Sequence, residues 1–564
     1  MPVCKSSYIK PNAFINIMNN RDYENKLNKE FDLIVIGGGI NGCGIARDAS
    51  ERGLSVLLLE KNDFGSGCTS ASTRIIHGGL RYLEYAEFGL VRESLKEREI
   101  LLRNANHLVK PLEFLLPIYK SSHRNHWIIK AGMLLYDALS FGKSLVSHKM
   151  LSVNEVKSLE PSIVDSDIDS AAVYYDCQVA VPERLCLENV LMASSNSALV
   201  LNHTEVVDIK INNGAIASID FMDTLLNKKY SAKGKIIINA SGPWVDNLCN
   251  YTHINIKKQI GATKGSHIII KQFPLGPKHA LIIQAKSDGR FFFIIPWLNY
   301  YLIGTTDGFY NGDLNDVHAS KDEINYLLNE TNLVLKEKKL TLDDVLYTYS
   351  GIRPLPYSGR EKGKDPGSVT RNHIIHHHKN DGINNFISII GGKITTYRNL
   401  SEQVVNYVYK KLNCEFVPTK TKDIPLIGAT KGDFEKYKNT NFKKYKKKYD
   451  LDIEDDILLH IINWYGKRSS EVFDILRSDN NLGRLISAYG LDVRAQIEYS
   501  IKNELAFTIT DVIRRLSLGF SENLGEDSVV EIVKYLQMYY SYSLKEIENQ
   551  ISDYHNQYLK NRKL

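Results

Sequence analysis

The stretch from Asp32 to Glu60 constrains this chain more than any other. An apolar run, Leu33-Ile34-Val35-Ile36, leads straight into Gly37-Gly38-Gly39-Ile40-Asn41-Gly42, a G-x-G-x-x-G pattern. A helix-compatible stretch follows from Cys43 to Arg52, Gly53 ends it, and Leu54–Glu60 reads as a second buried strand. The pattern therefore sits in the βαβ context that a dinucleotide site requires. Gly37 permits the tight turn, Gly39 lets backbone approach a pyrophosphate, and Gly42 lets helix and strand pack closely. The helix N-terminus then offers N–H groups and a positive dipole end to phosphate. Glu60 closes the second strand roughly 20 residues on, where a carboxylate accepts from ribose hydroxyls and repels a 2′-phosphate.

Composition narrows the class further. Of 564 residues, 43% are hydrophobic and 24% charged, which excludes disordered and collagen-like chains. A net charge of +6 over this length is no footprint of a nucleic-acid binder, so no nucleic acid is expected as partner. The seven cysteines are scattered, with no C-x-x-C, so a reducing compartment without disulfides or a structural metal is expected. No apolar run reaches the roughly 18 residues of a membrane span. Met1 to Glu30 is acid-poor before Asp22 and reads as a loose extension, with organelle targeting as the alternative.

The segment after Glu60 separates a flavin from a nicotinamide dinucleotide. Lys61 to Thr73 is a small, hydroxyl-rich loop containing Thr69, Ser70, Ser72 and Thr73, suited to wrap a pyrophosphate and ribityl chain. His77-Gly78-Gly79-Leu80-Arg81-Tyr82 then sets two glycines where backbone can lie against a flat ring. Lys235–Gly242 reads as a strand returning to the dinucleotide, and Asn385–Gly392 as another buried strand ending in glycines.

With TSASTRIIHGGLRYLE, the blocks NASGPWVD (239–246), KGSH (264–267), IIPW (294–297), IGTTD (303–307), YSGIRPL (349–355) and GGKITTYR (391–398) occur in order. Together they resemble the FAD-dependent glycerol-3-phosphate dehydrogenases, respiratory members of the D-amino-acid-oxidase-like flavoproteins. The resemblance implies an α/β fold: a Rossmann-like FAD-binding domain interleaved with a mixed, largely antiparallel substrate domain, plus an all-helical C-terminal domain. The expected division is an extension over 1–30 and an oxidoreductase region over 31–415. Within that region the FAD domain takes 31–110, 165–255 and 350–410, and the substrate domain 111–164 and 256–349. A basic linker (416–449) and a helical domain (450–564) follow.

The resemblance implies non-covalent FAD, since no Cys or His lies in GGKITTY, and oxidation of sn-glycerol 3-phosphate with electrons passed to membrane quinone. It implies His267, Arg353 and Lys393 as the catalytic set, and Arg81, Tyr82 and Thr396 as substrate binders. His267 has the better intrinsic basicity, near pKa 6.5. Arg353 is too strong a cation to serve as a base and suits the C2 oxygen. Arg81 offers a planar fork and Lys393 a point charge to phosphate. Around the cofactor the resemblance adds Asn41, Val206, Ala240, Gly242, Gly351, Gly392, Ile394 and Thr395 to the glycines, Glu60, Lys61, the hydroxyl loop, and His77 to Leu80. Pro182-Glu183-Arg184 departs from the expected pattern, and Arg184 is expected to pin the substrate domain to the FAD domain.

Three further segments carry weaker readings. His376-His377-His378 reads as a solvated loop or edge strand, because neighbours on a strand point to opposite faces. Lys443–Lys448 reads as a solvated face, with anionic lipid as the alternative. Arg124–Tyr136 carries Trp127 and an apolar stripe with Arg and Lys at its edges; it reads as a buried amphipathic helix or, alternatively, a lipid contact. No calcium loop occurs over Asp450–Asp456. A homodimer is allowed, and the expected location is the cytoplasmic side of the inner membrane, peripherally attached, or the mitochondrial inner membrane if the extension is a transit peptide. The rival functions are a glycerol-3-phosphate oxidase using O2, an amine or amino-acid oxidase, and a non-catalytic flavin scaffold.

Overall fold

The computed structural model describes residues 23–120, 124–164, 166–357, 359, 369–449 and 453–563. Most of the N-terminal extension and Asp450 to Asp452 lie outside these. The rest of the extension is anchored at two points: Tyr23 and Leu27 are buried, the other residues of 23–30 are exposed, and the Tyr23 hydroxyl donates to Asp223 at 2.5 Å.

A six-stranded sheet holds the dinucleotide motif. Its order is Ile374–His377, Phe386–Ile390, Gly234–Asn239, Phe31–Ile36, Val56–Leu59, Leu199–Leu201. All neighbours are parallel except the first pair. Both faces are covered, which is why its central strands read as unbroken apolar runs. Leu33 and Val35 enter a core with helices Ile40–Glu51, Pro182–Ser195 and Tyr397–Leu412. Ile34 and Ile36 point the other way, onto Ile209, Ile219 and Phe221 of a three-stranded antiparallel sheet over residues 204–232.

A second, ten-stranded sheet is antiparallel apart from one pair, Ala280–Gln284 beside Val109–Tyr119. It takes in Ile168–Val179 and Val345–Pro356, most of which the expected division assigned to the FAD domain. Their hydrogen-bond partners, Val109–Tyr119 and Ile260–Lys271, decide the assignment. Alternation along a strand marks a half-buried face but does not say which sheet the strand joins.

The helical domain begins earlier than expected. Phe434–Tyr449, the second half of the anticipated basic linker, is a helix with Phe434, Tyr445 and Tyr449 buried. Gly432 is the last helix breaker before it, and its lysines project outward while the aromatic side chains pack. Arg184 joins the dinucleotide domain to this helical domain rather than to the substrate sheet. It pairs with Glu504 at 2.8 Å and donates to the Arg515 carbonyl at 3.1 Å, both side chains fully buried. Arg515 in turn forks onto Asp63 at 2.5 and 2.7 Å. Among the described residues no helix is long and apolar enough to cross a membrane, and the six described cysteines are free.

Candidate active site

The parallel strands deliver their C-terminal ends to one long cavity of about 1400 Å³, shared by the two sheets and the helical domain. That exceeds the usual range of about 300–1,000 Å³ for a small-ligand site and suits an extended dinucleotide with a substrate beside it.

One end is built by the glycine turn. Gly37 has φ +108°, and a Cβ there would sit 2.5 Å from the Ala240 carbonyl oxygen. Gly42 lies off the cavity and lets the helix pack against the turn, since a Cβ on it would meet the Gly37 oxygen at 1.8 Å. A Cβ on Gly39 would meet nothing nearer than 3.7 Å, so the cradle is open where a phosphate would approach. Glu60 accepts from the N–H of Gly38 at 2.6 Å and of Asn62 at 2.8 Å. Burial raises its pKa, against those two N–H groups. The Asn41 amide donates weakly to the Gly391 carbonyl at 3.4 Å, and its buried Oδ1 has no partner. An open cradle, a ribose-height carboxylate and an orphaned amide oxygen together fit an adenine dinucleotide.

Of the residues expected at the cofactor, Lys61, Thr69, Ser70, Ser72, Thr73, His77, Val206, Ala240, Gly242, Gly351, Gly392, Ile394 and Thr395 also line the cavity. Gly78, Gly79 and Leu80 do not. The Gly78 N–H donates to the Tyr136 hydroxyl at 3.0 Å, Gly79 takes the left-handed φ +86°, and Leu80 packs on the core. They shape the segment that presents His77 and Tyr82.

The other end of the cavity is cationic. Arg353 donates to Asp307 at 2.9 Å and to the Thr305 hydroxyl at 3.0 Å. Arg371 reaches the second oxygen of Asp307 at 3.4 Å. Lys393 donates to the Ser94 hydroxyl at 2.9 Å and to the His77 and Gly78 carbonyls at 3.3 Å, and lies 4.6 Å from the Tyr82 ring centre. Burial pulls the Lys393 ammonium down to about 7, against Asp176, Glu93 and Glu87. Burial likewise lowers Arg353, which Asp307 partly offsets. The Tyr82 phenol is raised by burial and stays protonated.

His267 is buried near Arg353. Its ring stacks on Tyr349 with centres 4.7 Å apart, Nε2 lies 3.0 Å from the Thr73 hydroxyl, and Nδ1 has no partner. Burial, then Arg353 and Arg74, hold it well below its ordinary pKa, so the imidazole is neutral.

Two expected substrate binders stand aside. Thr396 is buried at the start of the helix Tyr397–Leu412, off the cavity, because the turn after Lys393 faces Thr395 inward instead. The Thr395 hydroxyl accepts from the His77 N–H at 3.2 Å. Arg81 also lies off the cavity lining, although its charge is felt at Tyr82.

Sequence reasoning missed four contributors. Asp307, inside the IGTTD block, is the carboxylate that spaces two guanidiniums. Arg371 sits in GSVTRNH, which carries no motif. Asp511 and Arg514 come from the helical domain. Asp511 meets His203 at 2.8 Å, and Arg514 donates to the Ser66 carbonyl at 3.3 Å; Arg371, Asp511 and Arg514 line the cavity, and Asp307 stands behind the guanidiniums that do. Burial works to raise Asp511, but the charge and hydrogen bond of His203 hold it at about 2.

Comparison with known proteins agrees with this architecture. The FAD dependent oxidoreductase family pattern matches residues 32–398, and that of the C-terminal domain of alpha-glycerophosphate oxidase matches 419–547. A glycerol-3-phosphate dehydrogenase of Synechocystis sp. is 44% identical over 547 residues, covering 95% of this chain and 97% of that protein. An aerobic glycerol-3-phosphate dehydrogenase of Staphylococcus haemolyticus is 31% identical, covering 94% and 96%. Among solved structures, the glycerol-3-phosphate dehydrogenase of Bacillus halodurans complexed with FAD aligns with a TM-score of 0.79 at 26% identity, covering 96% and 97%.

Proposed function

Because the chain belongs to the FAD-dependent glycerol-3-phosphate dehydrogenases, a branch of the FAD-dependent oxidoreductase family, we propose that it oxidises sn-glycerol 3-phosphate to dihydroxyacetone phosphate and passes the electrons to a membrane quinone. The observation that carries the substrate is the cation cluster of Arg353, Arg371 and Lys393 at one end of a cavity that fits a dinucleotide, with the Asp307 carboxylate between the two guanidiniums and Asp176, Glu93 and Glu87 acting on Lys393 from farther off. A dianionic phosphate matches that surplus of charge; a zwitterionic amino acid would leave it unbalanced.

Asn41, Glu60 and the Thr69–Thr73 loop would hold FAD, which when bound would supply the hydride acceptor for C2 of the substrate. The protein's own residues do the rest. Lys393 and Arg371 hold the phosphate, with the Tyr82 phenol as a neutral donor. Arg353, braced by Asp307 and Thr305, faces the C2 oxygen and stabilises the negative charge that develops there. His267 receives the hydroxyl proton: it is neutral, and its Nδ1 carries no competing hydrogen bond. A low pKa makes it a weak base in the free protein. The two charges of a bound phosphate offset Arg353 and its neighbours, which raises that pKa only when substrate is present. Fixing C2 and the proton acceptor together supplies orientation worth up to about 7–11 kcal/mol of the barrier.

Support for a quinone comes from the surface. Helix His126–Leu139 buries Ile129, Met133 and Tyr136 but leaves Trp127 71% exposed and Leu134 56% exposed. Phe141, just beyond it, is 97% exposed, and Ile128, Leu135 and Val146 also face outward. Lys130 lies 5.3 Å from the Trp127 ring centre. An apolar patch with Trp and Lys at its edge suits the interface of an anionic bilayer, where quinone is dissolved. The deciding assay measures quinone reduction against peroxide in the presence of liposomes. Stoichiometric quinol with little peroxide supports the dehydrogenase; stoichiometric peroxide with no quinol makes the chain an oxidase.

A further inference from the structure

The outer edge of the dinucleotide sheet carries a cluster that the flavin chemistry does not use. His376 and His378 stand two apart at the end of the edge strand Ile374–His377, so their side chains share a face; His377 points the other way and packs on Tyr407 with ring centres 4.1 Å apart. Neighbours in the run thus face opposite ways, as expected, and the alternate pair His376 and His378 share a face. The chain then turns tightly over His378–Asp381, closed by Gly382 in the left-handed region at φ +90°, and brings the Asp381 carboxylate back to both imidazoles. Asp381 Oδ2 lies 2.8 Å from His378 Nδ1 and 3.3 Å from His376 Nε2, and one ligand atom from each of the three falls within 4.8 Å of the others.

We propose that His376, His378 and Asp381 form a binding site for a divalent transition metal of the zinc class, with water completing the coordination. Zinc bonds of about 2.0–2.1 Å in a tetrahedron set ligand atoms roughly 3.3 Å apart, so the observed spacing needs only small rotations. Two neutral imidazole nitrogens and one carboxylate oxygen are the ligand set that zinc, cobalt or nickel prefers over magnesium or calcium.

The supporting groups fit as well. His378 is fully buried, and its other nitrogen, Nε2, lies 2.8 Å from the Ser388 hydroxyl on the neighbouring strand. That contact holds the ring in place, and the Ser388 hydroxyl can accept from Nε2 once an ion takes Nδ1. The side chain of His376 is 38% exposed, which gives an ion a route in.

The site is also wired to the cofactor end of the sheet. Ser388 accepts from the Asn239 amide at 3.3 Å, and Asn239 Oδ1 accepts from the Ser241 hydroxyl at 2.6 Å. Ser241 lines the dinucleotide cavity. A metal at the edge therefore clamps the strand Phe386–Ile390 that leads to Gly391 and Gly392.

The test is a calorimetric titration of the EDTA-treated, flavin-loaded protein with zinc chloride, repeated with His376→Gln and Asp381→Asn. The expected result is one zinc per chain in the natural protein, affinity lowered at least about tenfold in each variant, and flavin reduction by glycerol 3-phosphate unchanged in His376→Gln. X-ray absorption of the zinc-loaded protein should report two imidazoles. Absence of a one-to-one site in the natural protein, or equal affinity in both folded variants, overturns the proposal and leaves the three residues as a hydrogen-bonded turn.

Discussion

Replacing Gly265 by alanine adds one methyl group and leaves every charge of the proposed site in place. Gly265 pairs with Gly351 in the substrate sheet, and its missing Cβ is where the Arg353 side chain passes. A Cβ there would lie 2.2 Å from Arg353 Nη2 and 2.4 Å from the Thr305 hydroxyl. Ordinary contact begins near 3.4 Å, so the guanidinium must retreat by about 1.2 Å (3.4 minus 2.2). A displacement of about 1 Å in a positioning group costs roughly 100-fold in rate, which is about 2.7 kcal/mol at 1.36 kcal/mol per factor of ten. The displaced atoms are the far ends of side chains, so stability should change little. The assay is kcat/KM for glycerol 3-phosphate with a soluble dye as acceptor, with flavin content and thermal midpoint measured on the same samples. The expectation is a loss near 100-fold with full flavin occupancy and a midpoint within a few degrees. Fully flavinated, stable protein with kcat/KM within about threefold of the natural chain would refute the role given to the position of Arg353.

Three other perturbations probe separate links. Because the Lys393 ammonium titrates at about 7 in the free protein, kcat/KM should fall as pH rises through that value, while kcat holds to higher pH because bound phosphate stabilises the charge; Lys393→Arg, which cannot deprotonate, should flatten the alkaline limb, and an unchanged limb would remove Lys393 from phosphate binding. Glu504→Ala leaves the buried guanidiniums of Arg184 and Arg468 without their carboxylate and should cost about 3–5 kcal/mol of stability, read as a lower denaturation midpoint; a shift below about 1 kcal/mol would mean the helical domain is held by other contacts. Replacing Trp127 and Ile128 by Glu should release the protein from anionic liposomes without altering dye-linked activity, and undiminished retention would relocate the lipid contact.

Much of the fold was readable because short-range patterns carry it. The glycine turn, the strand before it and Glu60 after it lie within one βαβ unit, and their geometry follows from local chemistry. The same holds for Gly42, whose packing role the motif implies and whose contact with the Gly37 carbonyl the structure displays. What stayed hidden depends on distance along the chain. Arg184 and Glu504 are far apart in sequence and meet only when the helical domain docks. Arg371 acquires meaning only beside Asp307, on a different element. Thr396 and Thr395 are neighbours of the same type, and only the turn at Lys393 decides which of them faces the cavity. The histidine run was legible as an edge strand, whose alternation sets His376 and His378 on one face; hidden was the turn closed by Gly382, which brings Asp381 back to meet them.

The most direct test is anaerobic titration of the flavin-loaded protein with sn-glycerol 3-phosphate, followed by the visible absorption of the flavin. Stoichiometric bleaching by this ester, and none by glycerol or by an amino acid, is the predicted result. Bound flavin that keeps its colour in excess ester, or that an amino acid bleaches instead, would contradict the assignment of the cationic end of the cavity to a three-carbon phosphate.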